Sequence, residues 1–190
     1  LEKIHLPKKI KDRKSVFEYI LPQLQNLKSL EAAFSMALWD WWGQKVGKSI
    51  SELLNVQVSK LPLTSYTIAI GKIDDIGSKV EEAEPYSILK VKLGTLNMDK
   101  NIIREVRNHT DKLIRVDANE GWESDNALEM CKWLADKNIE LVEQPFHISD
   151  INATAKLKQK SPLDIYADEN SMSSLDIYHI KHAFDGINIK

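Results

Sequence analysis

The pattern of hydrophobic and polar positions changes near residue 63 of the chain. Before that point, apolar residues recur at i, i+3, i+4 and i+7, which predicts an amphipathic helix that begins after Ser29 and ends at Gly43. After it, six short apolar runs alternate with helical stretches. The runs are "SYTIAIG", "YSILKVKLG", "LIRVDANE", "IELVEQPF", "LDIYADEN" and "GINIK". Near-continuous apolar strands that alternate with helices indicate parallel β/α units whose strands are buried on both faces.

Five polar residues recur at the same place in successive strand–helix units. Lys92, Asp117, Glu143, Asp168 and Lys190 are separated by 25, 26, 25 and 22 positions, about one unit each. Each therefore stands at the end of its strand, and in a β/α barrel this is the face where active sites are built. Because right-handed crossovers place consecutive strands side by side, we expect the three carboxylates to converge on one patch, with lysines on both sides.

The three predicted carboxylates favour a divalent cation. A single acid at a strand end is more often a helix cap or the partner of a lysine, but three acids at one patch are costly without a cation. Cysteine and histidine are missing from these positions, so the donors are oxygens. An oxygen-only site favours Mg²⁺ or Mn²⁺ over zinc.

The lysines suggest proton transfer. Lys90 and Lys92 are two positions apart on one strand, so their side chains share a face. A lysine that acts as a base near pH 7 needs a pKa about 3 units below its reference of about 10.4, roughly 4 kcal/mol, and we expect neighbouring positive charge to supply this. Lys190 ends the last strand, across the acids from Lys92. Two opposed lysines predict removal of a proton from one face of a carbon and its return to the other.

Composition narrows the class of protein. The chain has 26 basic and 28 acidic residues, net charge -2, and no basic block, which does not favour a nucleic-acid partner. The single cysteine, Cys131, excludes an internal disulfide and fits a reducing compartment. The apolar runs are far shorter than the roughly 18 residues of a membrane helix. We expect a soluble, cytoplasmic protein with a small-molecule substrate and no membrane partner, and we leave a homo-oligomer open.

Five motifs in order, "KVK", "VDANEGW", "VEQPF", "ADEN" and "DGINIK", resemble the enolase superfamily. Within it they are most similar to the muconate-lactonizing subgroup, in particular to dipeptide epimerases of the L-Ala-D/L-Glu type. The resemblance covers roughly residues 29–190 and is far more specific for the subgroup than for the substrate. It implies an α/β fold with a TIM-type (β/α)7β barrel, here incomplete, over residues 63–190. Residues 1–62 would be the helical part of an α+β capping domain.

The resemblance also implies the role of each strand-end residue. Asp117, Glu143 and Asp168 would bind Mg²⁺, with Mn²⁺ as an alternative. The metal would hold the substrate carboxylate and stabilise the enediolate formed when the α-proton leaves. Lys92 and Lys190 would be the acid/bases on the two faces of the α-carbon.

Three neighbouring residues would assist. Lys90 would lower the pKa of Lys92 and meet the substrate carboxylate. Asn119 is a candidate for substrate binding, and both Asn119 and Glu169 lie next to predicted metal ligands, where they could orient them.

The implied reaction is a Mg²⁺-dependent 1,1-proton transfer at the α-carbon of a dipeptide. An o-succinylbenzoate synthase or a muconate-type cycloisomerase would share the metal site and both lysines, so these alternatives stay open. So does a non-catalytic scaffold protein, although intact acids and lysines argue against it. A phosphate-binding barrel would need a glycine-rich loop, which is missing. Dipeptide epimerases carry an Asp-x-Asp motif near their end that does not occur here, so we expect a fragment or omitted segments.

Overall fold

The structure is a computed structural model that describes residues 4–24, 27–95 and 97–189. The chain divides into two compact units, Leu1–Pro62 and Leu63–Lys190. None of the helices in these described ranges has the length and apolar character needed to cross a membrane.

The first unit is helical. Its helices are α1 (Arg13–Ile20), α2 (Lys28–Val46) and α3 (Ile50–Leu53), with short 3-10 turns at Leu21–Leu24 and Val58–Lys60. Asp12 starts α1 because its carboxylate accepts a hydrogen bond from the Ser15 amide at 2.8 Å. The small core of this unit joins buried side chains of the first segment to the apolar face predicted for α2. Its members are Val16, Ile20 and Leu24, packed against Ile4, Leu30, Phe34 and Leu38.

The predicted end of α2 at Gly43 was wrong. The helix continues to Val46, and the residue in the left-handed conformation that ends it is Gly47, with φ 65°. Gly43 instead lies inside the helix and is buried, and a Cβ there would come within 2.9 Å of the carbonyl oxygen of Lys48. Close packing, rather than chain reversal, accounts for this glycine.

The second unit contains one sheet of six parallel strands in the order β1 to β6. The strands are β1 (Ser65–Ile68), β2 (Ile88–Lys92), β3 (Leu113–Asp117), β4 (Ile139–Glu143), β5 (Asp164–Ala167) and β6 (Gly186–Ile187). The predicted parallel β/α arrangement is confirmed, since each strand falls within a predicted run and neighbours in sequence are neighbours in the sheet. A parallel sheet in sequential order is the arrangement of a β/α barrel, of which these strands form a part.

Helices cover one face of this sheet. They are α4 (Ile76–Glu82), α5 (Asp99–His109), α6 (Ser124–Ala135), α7 (Ile151–Lys158) and α8 (Asp176–Ile180). In β2, Leu89 and Val91 are fully buried in the core that these helices share, whereas Lys90 and Lys92 are half-buried on the opposite face. At β2 the face opposite the helices is therefore only partly buried, whereas the sequence predicts burial of both strand faces.

Strand register brings the predicted residues to one level. Lys92 pairs with Asp117, and Asp117 pairs with Glu143. A shift in register between β3 and β4 near Ile114 absorbs the one-residue difference in spacing. The main-chain ladder continues just past the strands, where Leu93 donates to the Asp117 carbonyl at 2.7 Å. This hydrogen bond holds the carboxyl ends of β2 and β3 next to each other.

Candidate metal centre

Three buried carboxylates meet at the carboxyl end of the sheet. Asp117 ends β3, Glu143 ends β4, and Asp168 directly follows β5. Each offers an oxygen, and these oxygens lie within 4.8 Å of one another. Their exposed fractions are 0%, 6% and 5%. The structure thus brings together the three acids whose convergence the spacing predicts.

Two lysines of β2 contact these acids from one side. Lys90 Nζ lies 2.9 Å from Asp117 Oδ2 and 2.7 Å from Glu143 Oε2. Lys92 Nζ lies 2.7 Å from the same oxygen of Asp117. Both ammonium groups lie on the face of the sheet opposite the helices, its inner face, as their two-residue spacing predicts. Together they balance part of the buried negative charge.

The pKa shifts in this cluster run in different directions. Burial raises the pKa of Glu143, and the charges of Asp117 and Asp168 add to that rise, against the hydrogen bond from Lys90. Burial also acts to raise the pKa of Asp117, but hydrogen bonds from Lys92 and Lys90 outweigh it and the net shift is downward. Burial acts to lower the pKa of Lys90, yet its hydrogen bonds to Glu143 and Asp117 raise it overall. The contacts of Lys90 with the two carboxylates therefore outweigh the effect of its burial on its pKa.

The donor set fits a hard divalent cation. The cluster offers three carboxylate oxygens near a common point, and no histidine or cysteine belongs to it among the described residues. Mg²⁺ prefers oxygen ligands in octahedral geometry and usually keeps waters or substrate oxygens in the remaining positions. Asp117, Glu143 and Asp168 are therefore the residues that would hold such an ion.

Asn119 contacts a predicted ligand through its main chain. Its backbone N–H donates to Asp117 Oδ1 at 3.0 Å, and its φ of 46° places it in the left-handed region, which asparagine tolerates. Its side chain is exposed. Glu169 is half-buried beside Asp168. The predicted role of Asn119 in substrate binding stays a prediction. Lys190, the predicted second acid/base, lies outside the described residues.

Asn188 is a site residue that the sequence argument missed. Its side-chain Nδ2 donates to Glu143 Oε1 and to Asp168 Oδ1, each at 3.1 Å. Asn188 stands two positions before Lys190, so the two-residue period of a strand could have placed it on the inner face. Asn188 carries no charge and does not share the repeating spacing of the strand-end acids and lysines, so that spacing does not indicate it.

Gln144, also missed, links the loops that follow β4 and β5. It is fully buried, and its φ of 38° is unusual for a residue other than glycine. Its Oε1 accepts the backbone N–H of Asp168 at 2.9 Å, and its Nε2 donates to the Phe146 carbonyl at 2.9 Å and to Asn170 Oδ1 at 2.6 Å. Gln144 therefore fixes the main chain at one of the three acids.

The loops that follow β2 and β3 are joined by a buried carboxylate and two glycines. Asp99, which is fully buried, accepts hydrogen bonds from the backbone N–H groups of Gly94 and Thr95, from the Thr95 hydroxyl and from Trp122 Nε1. Gly94 has a φ of 95°, and Gly121 lies so close that a Cβ on it would be 2.5 Å from Gly94 Cα. These contacts hold the segment that follows Lys92 against the segment that follows Asp117.

A cleft on the inner face of the sheet reaches one of the three carboxylates. It has a volume of about 290 Å³, and Lys90, Glu143 and Asn188 are among the residues that line it. Arg115 and Tyr166 also line it. A small polar ligand in this cleft could therefore contact Glu143 and Lys90.

Comparison with known proteins identifies relatives along the whole chain. It is 38% identical over 192 residues to the L-Ala-D/L-Glu epimerase of Bacteroides thetaiotaomicron, an alignment that covers 100% of this chain and 49% of that protein. A crystal structure of a dipeptide epimerase from Cytophaga hutchinsonii, complexed with Mg and the dipeptide D-Ala-L-Val, matches with a TM-score of 0.77 and 27% identity, covering 95% of this chain and 51% of that one.

A muconate cycloisomerase from Pseudomonas fluorescens matches with a TM-score of 0.76 and 25% identity, covering 95% of this chain and 52% of that one. The chain spans about half the length of the relatives it matches. The sequence profile of the enolase C-terminal domain-like family matches residues 75–190, which is more than half of the chain. The chain therefore belongs to the enolase C-terminal domain-like family.

Proposed function

We propose that the protein containing this chain is a Mg²⁺-dependent epimerase of dipeptides that moves a proton at the α-carbon next to a carboxylate. The observation that carries the proposal is the meeting of Asp117, Glu143 and Asp168 beside the ammonium groups of Lys90 and Lys92. The similarity to epimerases named for L-Ala-D/L-Glu and for dipeptides supports the choice of substrate class.

The metal would supply positive charge for the carboxylate of the substrate. The α-proton of a carboxylate is a very weak acid, so the site must provide on the order of 10 kcal/mol of transition-state stabilisation. A buried site makes such charge more effective because little water screens it. Mn²⁺ meets the same oxygen ligands and is an alternative to Mg²⁺.

The two lysines of β2 have different roles in this proposal. Lys90 contacts both Asp117 and Glu143 and has 19% of its side chain exposed, so it lies deeper than Lys92, which suits binding of a substrate carboxylate beside the metal better than removal of a proton. Lys92 lies at the end of the strand with 30% of its side chain exposed, so it is accessible to a substrate bound beside Asp117. We assign Lys92 as the acid/base on one face of the α-carbon and Lys190 as its counterpart on the other.

A cycloisomerase or an o-succinylbenzoate synthase is the second candidate. The muconate cycloisomerase match has a TM-score nearly equal to that of the dipeptide epimerase. Both reactions use a carboxylate substrate and need the same acids and lysines. The product formed, rather than the geometry of the centre, distinguishes the two candidates.

Deuterium exchange at the α-carbon tests the proposal. The intact protein is incubated with Mg²⁺ and a dipeptide library in D₂O, and α-deuterium is measured by mass spectrometry. We expect incorporation into both epimers of L-Ala-Glu or a related dipeptide. In the Lys92→Ala variant, epimerisation stops, but one epimer still exchanges through Lys190; Lys190→Ala should leave exchange in the other epimer only. Lys132→Ala, a change on the exposed surface of α6, is the control, and this variant should still exchange the α-proton of both epimers.

Two results would count against the proposal. Equal loss of exchange from both epimers in both lysine variants would exclude the two-base arrangement. Turnover of a cycloisomerase or synthase substrate, without deuterium in any dipeptide, would establish the second candidate instead.

A further inference from the structure

Asn188 is held in place from two sides. Its backbone N–H donates to the Ala167 carbonyl at 2.7 Å, and its own carbonyl accepts the Ser171 hydroxyl at 2.8 Å. These bonds tie it to β5 and to the loop that follows. From this fixed position its amide nitrogen reaches Glu143 and Asp168, as described above.

The contact matches one neutral donor group to two negative charges. An asparagine side chain carries two N–H donors on one nitrogen, so it can bond two carboxylates at once. Glu143 Oε1 takes one of these donors while its Oε2 takes Lys90, which fixes the rotation of the carboxylate. Because Glu143 and Asp168 repel each other at this distance, the shared amide holds their separation and orientation.

We propose that Asn188 is a positioning residue that sets the spacing of Glu143 and Asp168 for a small divalent cation and thereby favours Mg²⁺ over Ca²⁺. The inference rests on the proposed metal centre. Mg²⁺ requires nearly ideal octahedral geometry with bonds of about 2.0–2.1 Å, whereas Ca²⁺ accepts irregular geometry at about 2.3–2.6 Å. If the carboxylates are free to move apart, the affinity of the site for Mg²⁺ should therefore fall more than its affinity for Ca²⁺.

The test measures the affinities of Mg²⁺ and Ca²⁺ for the intact protein by titration calorimetry. Asn188→Leu keeps the branched shape of the side chain and removes its donors, and Asn188→Ala provides a smaller second variant. Loss of a group that orients metal ligands typically weakens metal affinity about 10- to 100-fold. We expect a loss of that size for Mg²⁺ and a smaller one for Ca²⁺, so the ratio of the Mg²⁺ Kd to the Ca²⁺ Kd rises. Partial unfolding lowers the active fraction for both ions alike and does not move this ratio.

Asn101→Leu is the matched control. It makes the same change at an exposed asparagine of α5 whose side chain accepts a hydrogen bond from Arg104, away from the carboxylates of the centre. We expect its ratio to equal that of the wild type. An unchanged ratio in both Asn188 variants, or an equal change in the Asn101 variant, would overturn the positioning role. A wild-type protein that binds neither ion would instead overturn the metal centre itself, and the inference with it.

Discussion

Replacing Asp99 with asparagine tests how the loops beside the metal centre are held together. The carboxylate of Asp99 is fully buried and has no lysine or arginine partner among its described hydrogen bonds. Four donors satisfy it: two backbone N–H groups, the Thr95 hydroxyl and the Trp122 indole. Asparagine has nearly the same shape, so the change alters hydrogen bonding with little change in volume.

The expected loss follows from the number of acceptors removed. An asparagine offers one oxygen where aspartate offers two, and its NH₂ group would face a donor. With the amide oxygen in the place of Oδ1, which accepts from three of the four donors, only the Trp122 indole would lose its acceptor, and a buried donor left without a partner costs about 1–3 kcal/mol. The Asp99→Asn variant should therefore lower the free energy of opening of β2 and β3 by about 1–3 kcal/mol. Trp122→Phe removes a single donor to a charged acceptor and should lose about 1.5–3 kcal/mol.

Amide hydrogen exchange of β2 and β3, read by mass spectrometry, measures this opening free energy within the second unit. The double variant should lose less than the sum of the two single losses, because the Trp122 donor has no acceptor left to lose. Losses that add fully would show that the two residues do not interact. A loss below about 1 kcal/mol for Asp99→Asn would refute the reasoning, since it would mean that the buried donors find other partners.

Two further substitutions test the packing and the charge state of the second unit. Gly121→Ala should cost on the order of 3 kcal/mol in the same exchange measurement, because the new Cβ would lie 2.5 Å from backbone atoms of Gly94; a neutral effect would contradict the close approach. Burial raises the pKa of the Cys131 thiol to about 11 from 9.0. The folded state keeps this proton to higher pH than the unfolded state, so stability should fall by about 2–3 kcal/mol between pH 9 and 11. Cys131→Ala should remove that part of the slope in denaturant unfolding at several pH values, and an unchanged slope would contradict it.

Much of the fold is readable in the sequence because the same physical pattern repeats. Each β/α unit places its apolar strand and its first polar residue at nearly constant spacing, so Asp117, Glu143 and Asp168 could be aligned without coordinates. Parallel register then pairs Asp117 with Glu143 and Glu143 with Tyr166, and Asp168 follows two positions after Tyr166, just past the end of β5. The partial exposure of Lys90 and Lys92 on the inner face of the sheet was not predicted, since the apolar runs look alike whether one or both faces are covered.

The neutral groups of the site were harder to predict. Asn188 and Gln144 act through hydrogen bonds to residues 20 to 45 positions away, which no local pattern shows. The prediction of where α2 ends was wrong for a similar reason. A glycine can mark a chain reversal or a close contact, and only the packing of Gly43 against Lys48 shows which applies.

Magnesium binding to the intact protein tests the central claim most directly. Titration calorimetry of the wild type should show a single Mg²⁺ site. Glu143→Gln keeps the size of the side chain and an oxygen for Asn188 but removes one of three negative charges from the centre. We expect it to bind Mg²⁺ at least about 100-fold more weakly, a change of about 2.7 kcal/mol. An affinity equal to that of the wild type would contradict the assignment of Asp117, Glu143 and Asp168 as a metal centre.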